Sequence, residues 1–502
     1  MSAKMRMLFF IPRTKSFIGT EKNIPKHPPL GIACLSAFLK EHHIEVKAFD
    51  EGVETGVDSD SSVRDSSSAD SHSKISQLIK DFKPDLIGVQ ALSFNYVFFT
   101  DLIRRIKKIT DTPVVVGGPH VSATFDEVLR NTPADLAAFG EGEITLLELI
   151  NELKTKKPEL AKINGLIWRK GKKIITNAPR ELIKDINILP IPDFTIFRLP
   201  AYSYYSEKKL PLATSRGCPF NCNFCSVKLS FGRSFRPKSS EQVMKEIEHY
   251  LAMGYDHFDV LDDCFNLSIV RVMDICDRII KKRLKIKLEF YNGLRADRIT
   301  PEMIRTLKRA GCLFIALGAE SAHDETLLRI GKNLRIESVK KAAEIINRAG
   351  IPCSACFIIG HPGEDYAKSL ETIRFAKSLP CVYVNFYNLI PYPGTTLYDW
   401  VEKNGRFLIP KKDYYKYVSG FNIEPIFETD DFPAGLRKKA LHKGLLLYRK
   451  RSLQYKFGKP LGTVLYFLLI NDKLYEMALK FGLWSKFGAR LYDMLTARGN
   501  PD

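Results

Sequence analysis

The chain has 502 residues, 45% of them hydrophobic and 26% charged, with a net charge of +19 at pH 7. It is too long for one core and too apolar to be disordered throughout, so two or three globular domains are expected. The charge suits nucleic acid, an anionic membrane or an anionic substrate and separates none of them. More than half of the excess sits at the end of the chain, where residues 433–502 hold 14 Lys or Arg against 4 Asp or Glu.

The opening, MSAKMRMLFFIPR, meets Pro12 and Arg13 too soon to read as a secretory signal. The longest apolar run, residues 461–470, is about half of the ~18–20 residues that span a bilayer. A cytoplasmic protein is expected, with at most peripheral membrane contact through its C-terminal region. Ten cysteines are present, three of them within eight residues and the others scattered, a distribution that favours a metal site over disulfides.

In chain order, MLFFIP reads as a buried strand, PPLGIACLSAFLKEHH as a helix and IEVKAFD as a second strand. Residues 51–74 are rich in Ser and Asp and read as a solvated loop. ISQLIKDF is a predicted helix, DLIGVQALS a strand, residues 100–108 a helix and PVVVGGPH a strand ending in glycines. FDEVLRN (helix), DLAAFGEGE (strand) and ITLLELINELK (helix) close this unit. Apolar strands alternating with helices predict a doubly wound parallel sheet over residues 5–153. Ligands bind beyond the carboxyl ends of such strands, which singles out Ser93, Gly117, Gly118, His120, Gly140 and Glu141. Tight turns are the alternative reading of those glycines.

Residues 154–210 read as a connector, with a short hairpin turning at Lys170-Gly171-Lys172 and a Pro-containing extended stretch. Over 211–407 the alternation resumes. Strands are predicted at LATSR, HFDVLDD, LEFYNGLR, LFIALGAES, CSACFIIG and VYVNFYNLIP, with helices between them. Six such units predict a partial (β/α)6 barrel, whose functional residues gather at the carboxyl ends of the strands. Residues 408–502 read as a basic, aromatic, helical C-terminal region that includes Phe467, Tyr475, Phe481, Trp484 and Phe487.

The first barrel strand leads into GCPFNCNFCS, in which Cys218, Cys222 and Cys225 have the spacing C-x-x-x-C-x-x-C. Zinc would ask for a fourth ligand, often as a second C-x-x-C pair, and none exists. The other cysteines read as small buried hydrophobes. Three thiolates on one loop suit a 4Fe-4S cluster with one iron left open to a small chelating molecule.

Residues 211–407 resemble a radical S-adenosylmethionine (SAM) core, with Cys218, Cys222 and Cys225 matching its cluster motif and Phe224 its aromatic. The resemblance implies reductive cleavage of SAM to a 5′-deoxyadenosyl radical, with electrons from a flavodoxin- or ferredoxin-type donor. It also implies SAM contacts. Asp262 and Asp263 would meet the methionyl amine, Arg295 the carboxylate, Glu320 and Ser321 the ribose, and Gly360 the adenine. Solvated loop groups are the alternative for the polar members of that set.

Residues 5–153 resemble the cobalamin-binding domain fused before many radical enzymes, on the strength of PPLGIACLSAFLK, DLIGVQALS, VVVGGPHVS and AFGEGE. The motif D-x-H-x-x-G, whose histidine ligates cobalt, is missing, so cobalamin would bind without a protein histidine below the metal, and a degenerate or purely structural domain is the alternative. The whole resembles the cobalamin-dependent radical methylase and cyclase group. Methyl transfer to an unactivated centre of a small or lipid-like metabolite is the expected reaction, and ring cyclisation or rearrangement without methyl transfer is the alternative. A tRNA-modifying radical enzyme is a further reading. It is disfavoured because only Cys34 precedes residue 218 and the tail reads helical.

Overall fold

The computed structural model describes residues 4–14, 27–54, 67–202, 207–418, 424–471 and Leu474. The expected helical stretch around Tyr475, Phe481, Trp484 and Phe487 lies outside them.

In the N-terminal half the strands are β1 (Arg6–Ile11), β2 (Glu45–Asp50), β3 (Leu86–Gln90), β4 (Val114–Gly117), β5 (Leu136–Ala138), β6 (Leu166–Lys170) and β7 (Lys173–Thr176). The helices are α1 (Leu30–Glu41), α2 (Glu51–Glu54), α3 (Ser67–Phe82), α4 (Tyr96–Ile109), α5 (Pro119–Thr124), α6 (Glu127–Asn131) and α7 (Glu143–Leu153). They build one sheet of order β2-β1-β3-β4-β5-β6-β7, parallel through β5 and antiparallel beyond it. The expected hairpin is therefore β6–β7, and it extends this sheet rather than standing between domains. Order reverses between β1 and β3, the place where such sheets bind ligands.

Alternate residues of β1 serve two cores. Leu8 and Phe10 pack with Phe99, Leu102 and Ile103 of α4. Met7 and Phe9 belong to a larger core that continues through Phe194 and Phe197 into the second half. One correction concerns residues 51–74, which were expected to be loop throughout. Glu51–Glu54 and the chain from Ser67 onward are helical. A buried ion pair explains it: the Ser71 hydroxyl donates to Glu51 (2.8 Å), and Arg105 of α4 donates to both Ser71 (3.1 Å) and Glu51 (2.6 Å). That long-range network anchors a Ser-rich helix start which composition alone assigns to loop.

The second half contains β8 (Lys209–Leu212), β9 (Ser215–Arg216), α8 (Val227–Phe231), β10 (Arg236–Pro237), α9 (Ser240–Ala252), β11 (His257–Val260), α10 (Ile269–Lys281) and β12 (Lys287–Leu294). It continues with α11 (Pro301–Arg309), β13 (Cys312–Glu320), α12 (Asp324–Arg329), α13 (Ile336–Arg348), β14 (Cys353–Ile359), α14 (Tyr366–Ser378) and β15 (Tyr383–Asn388). Six strands form a wholly parallel sheet of order β15-β14-β13-β12-β11-β8, the expected partial barrel. Its helices start where side chains cap them. Ser239, Ser268, Thr300 and Asp365 accept from backbone N–H groups of α9, α10, α11 and α14. The expected strand LATSR divides in two: β8 stops at Leu212, and β9 pairs antiparallel with β10, clipping the cysteine loop at its base.

The chain ends in α15 (Thr396–Asn404), the short pair β16 (Arg406–Phe407) and β17 (Phe427–Glu428), and helices α16 (Ala434–Phe457) and α17 (Lys459–Leu468). Helix α16 caps the edge strand β15: Ala440 and Leu441 enter the main core, and the Arg451 guanidinium bonds the carbonyls of Lys377, Leu379 and Cys381. No helix among the described residues is long and apolar enough to cross a membrane.

Candidate functional site

The two sheets face each other across one seam, and two sites open there. The first is a cleft of about 180 Å³ over the carboxyl-terminal halves of β1, β3, β4 and β5. Four residues singled out from the sequence line it, namely Gly117, Gly118, Gly140 and Glu141, together with Gly31, Phe9, Leu35 and, from the second half, Arg216 and Phe231. A Cβ placed on Gly31 or Gly140 would meet nothing within 4 Å, so these two glycines leave room in the cleft, whereas Gly118, at φ +124°, lets its backbone approach Ala91, whose carbonyl oxygen would lie 2.7 Å from a Cβ. A cavity of ~150 Å³ accepts benzene, and drug-sized ligands need ~300 Å³ or more. The cleft therefore has room for a ring group little larger than benzene and not for a whole corrinoid.

Ser93 and His120, expected beside this cleft, face elsewhere. They bond each other at 3.0 Å, and His120, 1% exposed, packs against Tyr96, Phe99 and Tyr415. Burial holds this imidazole neutral, down to about 3. Tyr415 comes from a segment 295 positions later in the chain, so this pair belongs to the seam rather than to a ligand site. Glu141 lines the cleft but is also committed to the second half. Arg216 Nη1 lies 2.8 Å from its Oε1, Arg236 Nη1 lies 2.9 and 2.8 Å from its two oxygens, and Ile183 N–H donates at 2.8 Å. Burial opposes the charge of Glu141, but Arg236 and Arg216 outweigh it and hold the carboxyl below its ordinary range.

The second site is the cysteine loop, residues 217–226. Neighbours fix it on several sides. Gly217 N–H donates to Asp263 (2.9 Å), Asn223 N–H to Ile330 O (2.8 Å), and Leu397 N–H to Asn223 O (3.0 Å). Phe220 lies beneath the Arg295 guanidinium at 3.4 Å, and the Phe224 ring is 5.8 Å from that of His361. All ten cysteines are free thiols, and Cys218, Cys222 and Cys225 are part-buried. A hydrogen bond with Cys264 draws Cys218 down to about 7, whereas burial raises Cys222 and pushes Cys225 up to about 11. Among the described residues no three His, Cys, Asp or Glu groups converge as a single metal ion would require. A cubane takes one thiolate per iron and needs no such convergence. Three free thiols on one pinned loop suit that requirement.

Around that loop stand the other residues read from the sequence. Asp262 commits both oxygens to the loop base: Oδ1 accepts from Thr214 N–H, and Oδ2 from the Thr214 and Ser215 hydroxyls. It thereby braces the start of the cysteine loop. Asp263 keeps one oxygen beyond the Gly217 bond, and burial pushes it up to about 6. Arg295 is held by the carbonyls of Lys332 and Asn333 and lies 2.9 Å from Asp297. Glu320 pairs with Lys332 at 2.5 Å. The Ser321 hydroxyl donates to Glu364 at 2.7 Å, and the Gly360 and His361 N–H groups donate to the other oxygen of Glu364. Lys332, Glu364, Arg216 and Arg236 were not singled out from the sequence, whereas Glu143 stands in the strand-end pattern Gly140-Glu141-Gly142-Glu143. For Glu364 the signal was available in GHPGED, and for Lys332, Arg216 and Arg236 it lies only in tertiary pairing.

A doubly wound sheet with a glycine-lined cleft, set against a six-stranded parallel barrel with a three-cysteine loop at its mouth, defines a radical enzyme with an attached corrinoid-type domain. Comparison with known proteins agrees. The model of the Radical SAM superfamily matches residues 212–376, and that of the B12 binding domain matches residues 24–150. A protein of Pyrococcus horikoshii described as an uncharacterized methyltransferase is 32% identical over 451 residues, covering 89% of this chain and 93% of its own. The anaerobic magnesium-protoporphyrin IX monomethyl ester cyclase of Cereibacter sphaeroides is 27% identical over 439 residues, covering 82% of this chain and 69% of its own. The radical SAM methyltransferase TsrM from Kitasatospora setae, solved with cobalamin and a 4Fe-4S cluster, shares the fold at a TM-score of 0.66 and 18% identity, over 82% of this chain and 78% of that one. The chain belongs to the B12-binding branch of the radical SAM superfamily, among enzymes that include methyltransferases. The family's cofactors are a 4Fe-4S cluster, SAM and cobalamin, and its chemistry requires an electron donor and a small-molecule substrate.

Proposed function

We propose that the protein is a cobalamin-dependent radical methylase acting on an unactivated centre of a small or lipid-like metabolite. One observation carries this reading: the glycine-lined cleft and the cysteine loop share Arg216, which lines the cleft and stands two residues before Cys218. Cys218, Cys222 and Cys225 would each hold one iron, leaving the fourth for the amino and carboxylate groups of SAM. When bound, the cluster with SAM supplies a hydrogen-abstracting radical, and cobalamin supplies the methyl group.

The protein's own residues bind and orient. Asp263, Arg295, Glu320, Ser321 and Gly360 lie at or just beyond the carboxyl ends of β11 to β14, beside the loop, which supports their assignment to SAM. Phe224 closes the loop against His361. Gly117, Gly118, Gly140 and Glu141 would border the corrinoid. We assign residues 5–153 to the cobalamin domain with β6–β7 as its added edge, 154–210 otherwise to the connector, 211–407 to the radical core, and 408–502 to the basic cap. The reductant is a flavodoxin- or ferredoxin-type protein.

A second reading, ring closure without methyl transfer, draws support from the likeness to the magnesium-protoporphyrin ester cyclase over 82% of this chain. A lipid-like substrate draws support from α17, where Leu461, Val464, Phe467 and Leu468 form an exposed strip near Lys456 and Lys459. Such a strip suits an anionic lipid surface.

The test uses anaerobically reconstituted protein, reduced in the presence of SAM. Formation of 5′-deoxyadenosine is expected, as is passage of label from methyl-labelled SAM to bound cobalamin. Absence of 5′-deoxyadenosine sinks the radical reading. Absence of label transfer with the radical intact favours the cyclase.

A further inference from the structure

We propose that Arg216 is a positioning residue that couples the two cofactor sites, so that filling the cobalamin cleft and assembling the cluster assist each other. The inference rests on the cleft being the cobalamin site.

Arg216 belongs to both sites at once. Its side chain lines the cleft, where its guanidinium divides between two carboxylates of the first half: Nη1 to Glu141 at 2.8 Å and Nη2 to Glu143 at 2.6 Å. All three side chains are nearly enclosed, at 14%, 3% and 4% exposure. The Phe231 ring lies 5.7 Å from the same guanidinium and also lines the cleft. Phe231 ends α8, the helix that follows the cysteine loop. The loop thus leaves the cleft through Arg216 and returns to it through Phe231.

No slack separates Arg216 from the first cysteine. Gly217, between Arg216 and Cys218, has φ +80°, and a Cβ there would lie 2.4 Å from Ser234 O. Its N–H is held by Asp263, and the backbone of Arg216 is paired with Arg236 across β9–β10. Arg236 in turn grips Glu141 and Ile183 O. A displacement of the Arg216 guanidinium by a ligand in the cleft is therefore passed to Cys218 rather than absorbed by the loop. Glu143 cannot move independently of it, because Glu143 would be left as a buried, uncompensated charge, whereas Glu141 would keep its pairing with Arg236. Two sites that share one contact acquire a coupling free energy when the ligand of each alters that contact, and the coupling is reciprocal.

The test measures hydroxocobalamin binding by anaerobic absorbance titration, in cluster-free and cluster-loaded full-length protein. It compares wild type, Arg216→Lys and Glu143→Gln. The expected result is a wild-type Kd at least about five-fold tighter with the cluster present. That ratio should fall to about one in both variants, while each still binds cobalamin and cluster. A merely structural Arg216 would weaken binding equally in both forms and leave the ratio unchanged, which overturns the proposal. A wild-type ratio of one overturns the coupling alone. If the wild type binds no hydroxocobalamin at all, the assignment of the cleft falls, and the coupling with it. Circular dichroism establishes which variants are folded. If Arg216→Lys is not, the comparison with wild type is made on Glu143→Gln, which keeps the Arg236–Glu141 pairing.

Discussion

Gly117→Val separates cofactor binding from folding at a single position. Gly117 ends β4 and lines the cleft, and its φ lies outside the left-handed region. A Cβ there has Ala138 O as its nearest neighbour, at 3.7 Å, an ordinary contact. The backbone therefore tolerates a branched side chain, and the strand favours one. Relative to glycine, valine should add up to about 1 kcal/mol. For a domain of this size that raises the melting temperature of the cofactor-free protein by at most about 2–4 °C. The added methyls must go somewhere, and a cleft of only about 180 Å³ has little room for them and a ring system together. Overpacking a close-fitting site costs about 1–3 kcal/mol, which is about a 5- to 150-fold weaker Kd. Anaerobic absorbance titration with hydroxocobalamin reads the affinity, and differential scanning fluorimetry reads the fold. Unchanged affinity in a folded variant would refute the placement of the corrinoid. A melting temperature lower by more than a few degrees would refute the reasoning about free space at Gly117.

Replacing Cys218, Cys222 or Cys225 by Ala should each abolish reconstituted 4Fe-4S absorbance and SAM cleavage, while Cys276→Ala, buried in α10, should keep both; iron and sulfide assays on the purified variants check this. Glu289 is part-buried, which opposes its charge, but His257 at 3.1 Å and Lys209 outweigh this and lower its carboxyl from 4.5 to about 2. A depressed carboxylate stabilises the fold above its unfolded pKa, and that stability is lost as pH falls from about 4.5 toward 2. The difference in urea stability between wild type and Glu289→Gln should reach about 3 kcal/mol near pH 6 and shrink steadily between pH 4.5 and 3; a difference that grows on acidification would refute the pairing. Phe258→Ala, at a fully buried position in β11, should cost about 3–5 kcal/mol by chemical denaturation. Pelleting with anionic vesicles should be weakened by Phe467→Ser with Leu468→Ser, and equal pelleting would dismiss the α17 strip as a lipid contact.

The parts of this protein that sequence makes readable are those in which the determining interactions are local. CSACFIIG is strand β14 because a short apolar run ending in Phe357, Ile358 and Ile359 and followed by glycine has few other uses. Ser268 and Thr300 announce α10 and α11 because capping joins residues three apart. The cysteine loop is legible for the same reason, since its chemistry is contained in eight consecutive residues. Legibility fails where a residue's partner is distant in the chain. Asp262 reads as a ligand group at a strand end, yet Thr214 and Ser215, 48 and 47 positions away, take both of its oxygens. His120 reads as a loop histidine offered to a cofactor, yet Tyr415 covers it.

Glu141 shows how the two kinds of information combine. The pattern Gly140-Glu141-Gly142-Glu143 at the end of β5 points correctly to the cleft. What the pattern cannot contain is that Glu141 and Glu143 are paired with Arg216, 75 and 73 positions on, beside the first cysteine. Each site can thus be found from its own stretch of sequence, but the connection between them is tertiary. A methyl-transferring radical reaction needs both sites poised together. Substitutions that spare every cofactor-binding residue and break only the Arg216 ion pairs are therefore expected to damage the coordination of the sites more than either site alone.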